Sequence, residues 1–154
     1  MVNEINKEVK VSCLRLLAKR EHSQRELLNK LMTKGYSREN IENVVAELAE
    51  QGLQNDYRFM ESYARQRIAK GYGPVRIKYE LHQKGIEDCD LDSVVEESAG
   101  SWAELMSRIY TRKYQGAGSI TRQEWAKRSW FLQQRGFSGE MIKNLFKQLA
   151  IGFE

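Results

Sequence analysis

Three glycines at nearly constant spacing constrain this chain more than any other feature of its sequence. Gly35, Gly85 and Gly136 stand 50 and 51 residues apart, and each lies between a basic residue and an apolar one. The positions around them match as well, since apolar residues stand at the same distances from each glycine. These residues are Leu31, Leu81 and Leu132 before the glycine, and Tyr36, Ile86, Phe137, Ile41, Leu91, Ile142, Val44, Val45, Val94, Val95, Leu145 and Phe146 after it. A period of this length predicts a repeat architecture.

Each repeat is predicted to contain three helices. The shared glycine would adopt the left-handed conformation that ends a helix, and the preceding Lys or Arg is favoured at the negative end of the helix dipole. Capping pairs mark two helix starts, Ser23 with Glu26 and Thr121 with Glu124. The first helix of each repeat is expected at about 5–20, 56–70 and 101–114. The third helix is expected to begin near Ser37, Glu87 and Ser138.

The expected fold is therefore all-α, with about nine helices in three tandem, helix-turn-helix-like units arranged as an elongated array. The unit boundaries are expected at 1–53, 54–98 and 99–154. Apolar residues recur at helical spacing, and no alternation of apolar and polar residues predicts a strand.

Composition excludes several classes of protein. With 41% hydrophobic and 30% charged residues, the 154-residue chain does not have a disordered composition. No apolar run approaches the ~20 residues that a membrane helix needs, and the acidic, polar N-terminal segment does not resemble a targeting signal. The two distant cysteines, Cys13 and Cys89, are expected to be free thiols in a reducing compartment. A cytoplasmic protein is therefore expected.

The charge of the chain is divided into blocks. Residues 65–84 carry a net charge of +5, residues 85–107 carry −7, and residues 108–135 carry +6, although the total is only +4. Aromatic residues lie in or near both basic blocks, which suits contact with nucleic acid through phosphate neutralisation and base stacking. The alternative is a solvated helical surface with its aromatic residues in the core.

The only proline follows two glycines in the segment KGYGP, residues 70–74. Gly71 is expected to end one helix, and Pro74 suits the first position of the next. Gly73 would then occupy the cap position without a capping side chain, which would leave the amides of Val75 and Arg76 for an anion such as phosphate. A plain connection between two helices is the alternative. A dinucleotide-binding loop is excluded because the third glycine and a preceding strand are missing.

The sequence offers little support for catalysis. His22 and His82 are far apart, and His, Cys and acidic residues do not cluster at metal-ligand spacing. The acidic residues of 85–97 lack the pattern of a calcium-binding loop. Neither a nucleophile motif nor a phosphate-binding loop is present. We therefore expect neither an enzyme nor a bound cofactor or metal.

Several segments together resemble the RecX family of bacterial regulatory proteins. They are REHSQREL (20–27), KGY (34–36), GLQNDYRFMESYARQR (52–67), KGYGPVRIKYELHQKGI (70–86) and RSWFLQQRGFSGEMI (128–142). The resemblance implies tandem three-helix repeats. It also implies a protein that binds the RecA recombinase and its nucleoprotein filament, lies in the filament groove and inhibits recombinase and co-protease activity in DNA repair and the SOS response.

Two other functions remain open at this stage: a stand-alone DNA-binding protein built from helix-turn-helix units, and a protein scaffold that does not contact nucleic acid. A monomer is expected, with the RecA filament as partner and single- or double-stranded DNA as a further candidate. The residues expected to contact the partner are basic or aromatic: Arg65, Arg67, Lys70, Tyr72, Arg76, Lys78, Lys84, Arg112, Lys113, Arg128 and Arg135. The expected structural caps are Gly35, Gly71, Gly73, Pro74, Gly85 and Gly136.

Overall fold

The computed structural model describes residues 2–115 and 118–154, with side chains from residue 4 onwards. Within these residues the chain forms nine α-helices, in three successive sets of three. They are α1 (Val2–Lys19), α2 (Gln24–Thr33), α3 (Arg38–Glu50), α4 (Asp56–Ala69), α5 (Pro74–Gln83), α6 (Leu91–Ala99), α7 (Trp102–Lys113), α8 (Arg122–Gln134) and α9 (Gly139–Gln148). The prediction of an all-α fold built from tandem three-helix repeats is confirmed.

The chain divides into two compact units. The first unit takes in the residues up to Tyr63 together with Leu81–Cys89, and the second takes in Ala64–Glu80 together with Asp90–Glu154. Two of the three boundaries therefore fall inside helices, one in α4 and one in α5, and the third lies between α5 and α6. The three repeat boundaries expected from the sequence stay a prediction.

The repeat glycines end helices in the predicted conformation. Gly35, Gly85 and Gly136 have φ angles of 99°, 85° and 102°. At the first of them the Gly35 amide donates to the carbonyl of Met32, and the Tyr36 amide donates to that of Leu31. The same pair of hydrogen bonds recurs at the other two glycines. This arrangement is the Schellman motif, and it satisfies carbonyls that a helix end would otherwise leave without a partner.

The repeated apolar positions form the cores of the two units. Leu31, Leu81 and Leu132, which precede the glycines, are each fully buried, and burial of a leucine side chain contributes roughly 1.5–3 kcal/mol. In the first unit, α1 supplies Val9 and Cys13 to a cluster completed by α2 and α3. In the second unit, the rings of Tyr110 and Phe146 pack with centroids 5.5 Å apart.

Polar side chains begin most of the helices. Ser23 and Glu26 form the expected reciprocal capping box at α2. The Thr121 hydroxyl accepts from the amide of Glu124, whose carboxylate pairs with Arg128 instead of completing a second box.

The start of α6 differs from the expectation. The second repeat was expected to begin its closing helix near Glu87, but the helix begins four residues later, at Leu91. Asp90 caps it, because its short carboxylate accepts hydrogen bonds from the amide and the hydroxyl of Ser93. Asp is a favoured residue at this position, whereas the longer Glu is not.

Two short strands add a detail that the sequence did not predict. β1 (Ser119–Ile120) and β2 (Gly152–Phe153) pair in parallel. The chain turns back after α9 through Ala150, whose φ is 56°, and this turn directs the following residues alongside the segment before α8. Among the described residues, no helix is long and apolar enough to cross a membrane.

Candidate functional site

The corner between α4 and α5, residues 71–74, joins the parts of these two helices that belong to the second unit. Gly71 ends α4 with a φ of 86°, and Pro74 is the first residue of α5, as the sequence predicts. The prediction that this corner is an uncapped anion site is wrong. The Gly73 amide donates to the carbonyl of Arg135 at 2.7 Å, and the Val75 amide donates to the carbonyl of Gly136 at 3.0 Å.

The turn between α8 and α9 occupies the space in front of α5. A Cβ atom built on Gly136 would lie 2.4 Å from the Arg76 Cβ and 2.8 Å from the Arg76 amide nitrogen. A Cβ on Gly73 would meet the Gly136 carbonyl oxygen at 2.6 Å. The backbones of the two turns are therefore in direct contact, and a phosphate has no room between them. Gly73 is needed here for the close approach.

Arginine side chains of the basic blocks surround one tyrosine beside this corner. The guanidinium carbons of Arg67, Arg76 and Arg135 lie 3.9, 4.3 and 5.2 Å from the centroid of the Tyr72 ring. Arg67 also forms a two-pronged ion pair with Glu80, and Arg76 donates to the same carboxylate. These contacts hold the helices together, and the one carboxylate of Glu80 offsets part of the charge of the two arginines that bind it.

Three further predicted residues are not among the arginines that surround Tyr72. Lys84 belongs to the first unit, where it pairs with Glu26 at 3.1 Å. Arg128 is half-buried and donates to the carboxylate of Glu124 and to the hydroxyl of Tyr110. Lys78 is exposed on α5. Two of these three cations are therefore engaged by groups of their own unit.

The structure does bring five predicted residues together in one cleft of the second unit. This basic cleft has a volume of about 800 Å³ and lies among α4, α6, α7 and α8. Its basic side chains come from both positive blocks of the sequence: Arg65, Lys70, Arg108, Arg112, Lys113 and Arg135. Glu97 is the one carboxylate residue among the lining residues.

Some of these cations are engaged and others are not. Arg108 donates to the carbonyl of Ala99, and Arg135 donates to that of Lys70. Among the residues that the structure describes, Arg65 and Arg112 have exposed side chains with no hydrogen bond or ion pair to a protein group. Their guanidinium groups are therefore available to an external anion.

Sequence reasoning missed Arg108, although it stands one helical turn before Arg112 in the second basic block. An i,i+4 pair of arginines places both side chains on one face of a helix, and this spacing could have identified it. The apolar floor was also missed. It is formed by Ile68, Leu105, Ile109 and Phe131, which lie in three different helices. No local sequence pattern shows that these helices meet.

Comparisons with known proteins identify the family. Residues 10–48 match the family model of the first three-helix domain of RecX, and residues 55–95 match that of the second. A protein of Legionella pneumophila (strain Corby) described as "Regulatory protein RecX" is 38% identical over 142 residues, which cover 92% of this chain and 95% of that protein. The chain belongs to the RecX family. A second RecX, from Pseudomonas fluorescens (strain SBW25), is 40% identical over 137 residues, 89% of this chain and 88% of its own length.

Solved RecX structures share the fold. RecX from Lactobacillus salivarius superposes with a TM-score of 0.77 over 96% of this chain and 98% of its own, at 22% identity. Another crystal structure, described as regulatory protein RecX, gives a TM-score of 0.76 over 96% of this chain and 73% of that one, at 24% identity. The fold therefore persists where most side chains differ.

The first unit of this RecX-family chain contains a buried polar cluster. Glu26 is 9% exposed and receives hydrogen bonds from Arg20, Lys84 and the Ser23 amide. Burial alone would raise the pKa of Glu26, but these hydrogen bonds outweigh it and lower the pKa to about 2. The carboxylate is therefore charged at neutral pH and holds α2 to the basic groups around it.

His22 lies in the same cluster and is buried. Its Nε2 atom lies 2.9 Å from the Lys30 ammonium, which can only donate, so Nε2 accepts. Nδ1 therefore carries the proton and donates to the Arg20 carbonyl at 3.1 Å. Burial lowers the pKa of His22, and the fold requires the neutral imidazole. This arrangement is structural, since both ring nitrogens have partners within the chain.

Proposed function

We propose that this RecX-family chain binds the RecA recombinase and its nucleoprotein filament and inhibits the recombinase, ATPase and co-protease activities, in DNA repair and the SOS response. Family membership over 92% of the chain carries this proposal. The regulatory description that its relatives bear supports it, and so do repeated helical bundles, since they offer several surfaces to a filament made of identical subunits.

The ATPase activity of RecA on single-stranded DNA tests the proposal. Adding this protein at increasing ratios should lower the steady-state rate of ATP hydrolysis at amounts below one protein per RecA subunit. A variant with intact helical content but an altered basic cleft provides the matched comparison. An unchanged rate at every ratio up to equimolar would count decisively against a RecA inhibitor.

We assign the filament contact to the basic cleft. Its rim supplies Arg65 on α4, Lys70 directly after α4 and Arg112 on α7, and all three are exposed. Arg67 and Arg76 are assigned instead to holding the corner in place, because Glu80 and Tyr72 already engage them. Electrostatic complementarity of this kind governs the rate and specificity of association more than its final affinity.

Charge reversal at the rim tests this assignment. Arg65→Glu with Arg112→Glu should weaken filament binding by about tenfold or more, a change of ~1.4 kcal/mol, and should reduce the dependence of binding on salt. Lys143→Glu with Lys147→Glu is the matched control, since both lysines are exposed, lie on α9 of the same unit and are absent from the cleft. Equal losses in the two proteins would show that net charge, not the cleft, determines binding.

Direct DNA binding without RecA is the second candidate function, and the concentration of cations in the basic cleft favours it. Filter binding of single- and double-stranded DNA at low salt, with RecA omitted, tests it. A stand-alone DNA-binding protein should retain both duplex and single strands, with an affinity that falls steeply as salt increases.

A further inference from the structure

The basic cleft has two properties that are seldom combined on an ordinary surface: an apolar floor and a rim of cations. We propose that it binds a short acidic peptide segment that also carries apolar side chains, contributed by a protein partner. This inference rests on the proposed function only in taking the cleft as a contact surface. It names the chemistry of the ligand, and it is tested without RecA.

The rim supports an anionic ligand. Six basic residues line the cleft against Glu97 alone, and Arg65 and Arg112 have no internal carboxylate partner among the described residues. Guanidinium groups bind carboxylates through two parallel hydrogen bonds, which fixes geometry as well as charge. Aspartate and glutamate side chains of a partner therefore match the groups that the rim leaves open.

The floor supports a peptide with apolar side chains. Leu105 and Ile109 stand one turn apart on α7, and α4 adds Ile68 beside them. Ile109 is only half-buried, so part of its side chain faces the cleft. A volume of about 800 Å³ is enough for a few inserted side chains, within the range of sites that enclose small ligands. Burial of such side chains would add an attraction that salt does not screen.

The aromatic residues of the cleft argue against single-stranded nucleic acid. Base stacking on open aromatic faces supplies much of the affinity of such sites. The Phe131 ring is covered by the Lys113 ammonium at 4.0 Å, and the Arg135 guanidinium lies 5.6 Å from its centroid. Its neighbour Tyr114 packs edge-on against Phe131 and lies under Arg128 at 4.5 Å. Both rings are therefore already engaged by cations of this chain, which leaves less of their surface for a base.

Fluorescence anisotropy with defined probes tests the proposal. The first probe is a labelled synthetic peptide in which Asp and Glu alternate with Leu and Phe. The second has Ser in place of Leu and Phe, and the third is an oligothymidine of similar charge. The first probe should bind about tenfold more tightly than the second, and more tightly than the oligothymidine at moderate salt.

Variants locate the binding. Arg65→Ala with Arg112→Ala should weaken binding of the first probe by about tenfold, whereas Lys143→Ala with Lys147→Ala should change it less than about twofold. Ile109→Ser tests the floor and should abolish the preference for the apolar probe. Because Ile109 is half-buried, circular dichroism must first show that this variant keeps its helices. The rim variant tests the cleft independently of that result.

The outcomes separate this inference from the proposed function. Equal binding of the apolar and serine probes, or binding of oligothymidine alone, would overturn the acidic peptide as the ligand, and so would the absence of all binding. RecA inhibition together with any of these results would leave the proposed function standing. Cleft-dependent peptide binding without RecA inhibition would support the inference and remove the proposed function.

Discussion

Gly35 and Gly136 end helices with nearly the same φ but lie in very different surroundings. A Cβ atom on Gly35 would meet nothing within 4 Å, whereas one on Gly136 would collide with Arg76 and approach the Gly73 carbonyl at 3.0 Å. Only the backbone strain of a left-handed residue applies at Gly35. At Gly136 the strain is combined with a collision that a flexible side chain cannot relieve, since the amide nitrogen of Arg76 is part of it.

Alanine substitution should therefore separate the two positions. Gly35→Ala should lower the free energy of unfolding by about 1 kcal/mol. Gly136→Ala should lower it by roughly 2–4 kcal/mol, because the two turns must move apart and their hydrogen bonds weaken. Urea denaturation followed by circular dichroism measures both. Equal losses would contradict the close approach of the corner to the α8–α9 turn.

The buried polar cluster of the first unit predicts how stability depends on pH. Because His22 has a lowered pKa in the folded protein, the unfolded chain binds its proton more readily, so stability falls as pH drops through and below ~6.5, the usual value. Glu26 acts at lower pH. Its pKa of about 2 in the folded state makes its contribution disappear between ~4.5 and 2.

Thermal unfolding between pH 7 and 5 isolates the histidine. His22→Gln should flatten the decline in melting temperature over this range, since the titrating group is gone, at the cost of a lower melting temperature at pH 7. His82→Gln is the control, because His82 is exposed on α5 and the profile should keep its shape. An unchanged slope in the His22 variant would show that protonation of His22 does not govern acid stability.

At the scale of helices, local signals predicted much of the fold. Glycines that end helices, serine caps and the spacing of apolar residues are all local signals. The helices α2, α3 and α9 therefore begin where the sequence predicts. The corner could not be predicted in the same way, because the acceptors for Gly73 and Val75 come from Arg135 and Gly136, which are distant in sequence. The basic cleft could not be predicted for the same reason, since separate helices supply its rim and its floor.

Helix caps give a prediction at this scale. The Ser138 hydroxyl accepts from the Met141 amide at 3.2 Å, so Ser138→Ala should reduce stability by about 1 kcal/mol. Ser62→Ala is the control, because Ser62 lies exposed in the interior of α4, where alanine is the better helix former. Chemical denaturation should place the Ser62 variant at or slightly above the parent protein. A Ser138 variant as stable as the parent would contradict the capping role.

At the scale of the whole molecule, the second unit depends on residues from two separate parts of the chain. Its segment Ala64–Glu80 precedes the rest of the unit, which resumes only at Asp90. The first unit has a core of its own in α1, α2 and α3. Removal of residues 99–154 should therefore affect the two units differently, because it deletes the partners of the corner but none of the first core.

Hydrogen exchange can measure this difference in the chain that lacks residues 99–154. The amides of Ile41 and Leu48, both fully buried in the first core, should keep most of their protection. The Val75 amide should exchange freely, because its acceptor, the Gly136 carbonyl, has been deleted. Slow exchange at Val75 in the shortened chain would show that the corner is stabilised without the α8–α9 turn.

The hydrogen bond from the Val75 amide to the Gly136 carbonyl also determines the order in which parts of the chain can fold during synthesis. The ribosome releases the chain from its N-terminus, so the first core can assemble while the last repeat is still untranslated. The corner must then wait, with its amides hydrated, until the α8–α9 turn emerges. A message truncated in the final repeat would yield a protein with a folded beginning and an open middle. Proteases that recognise extended segments would be expected to cut such a product at residues 71–74 first.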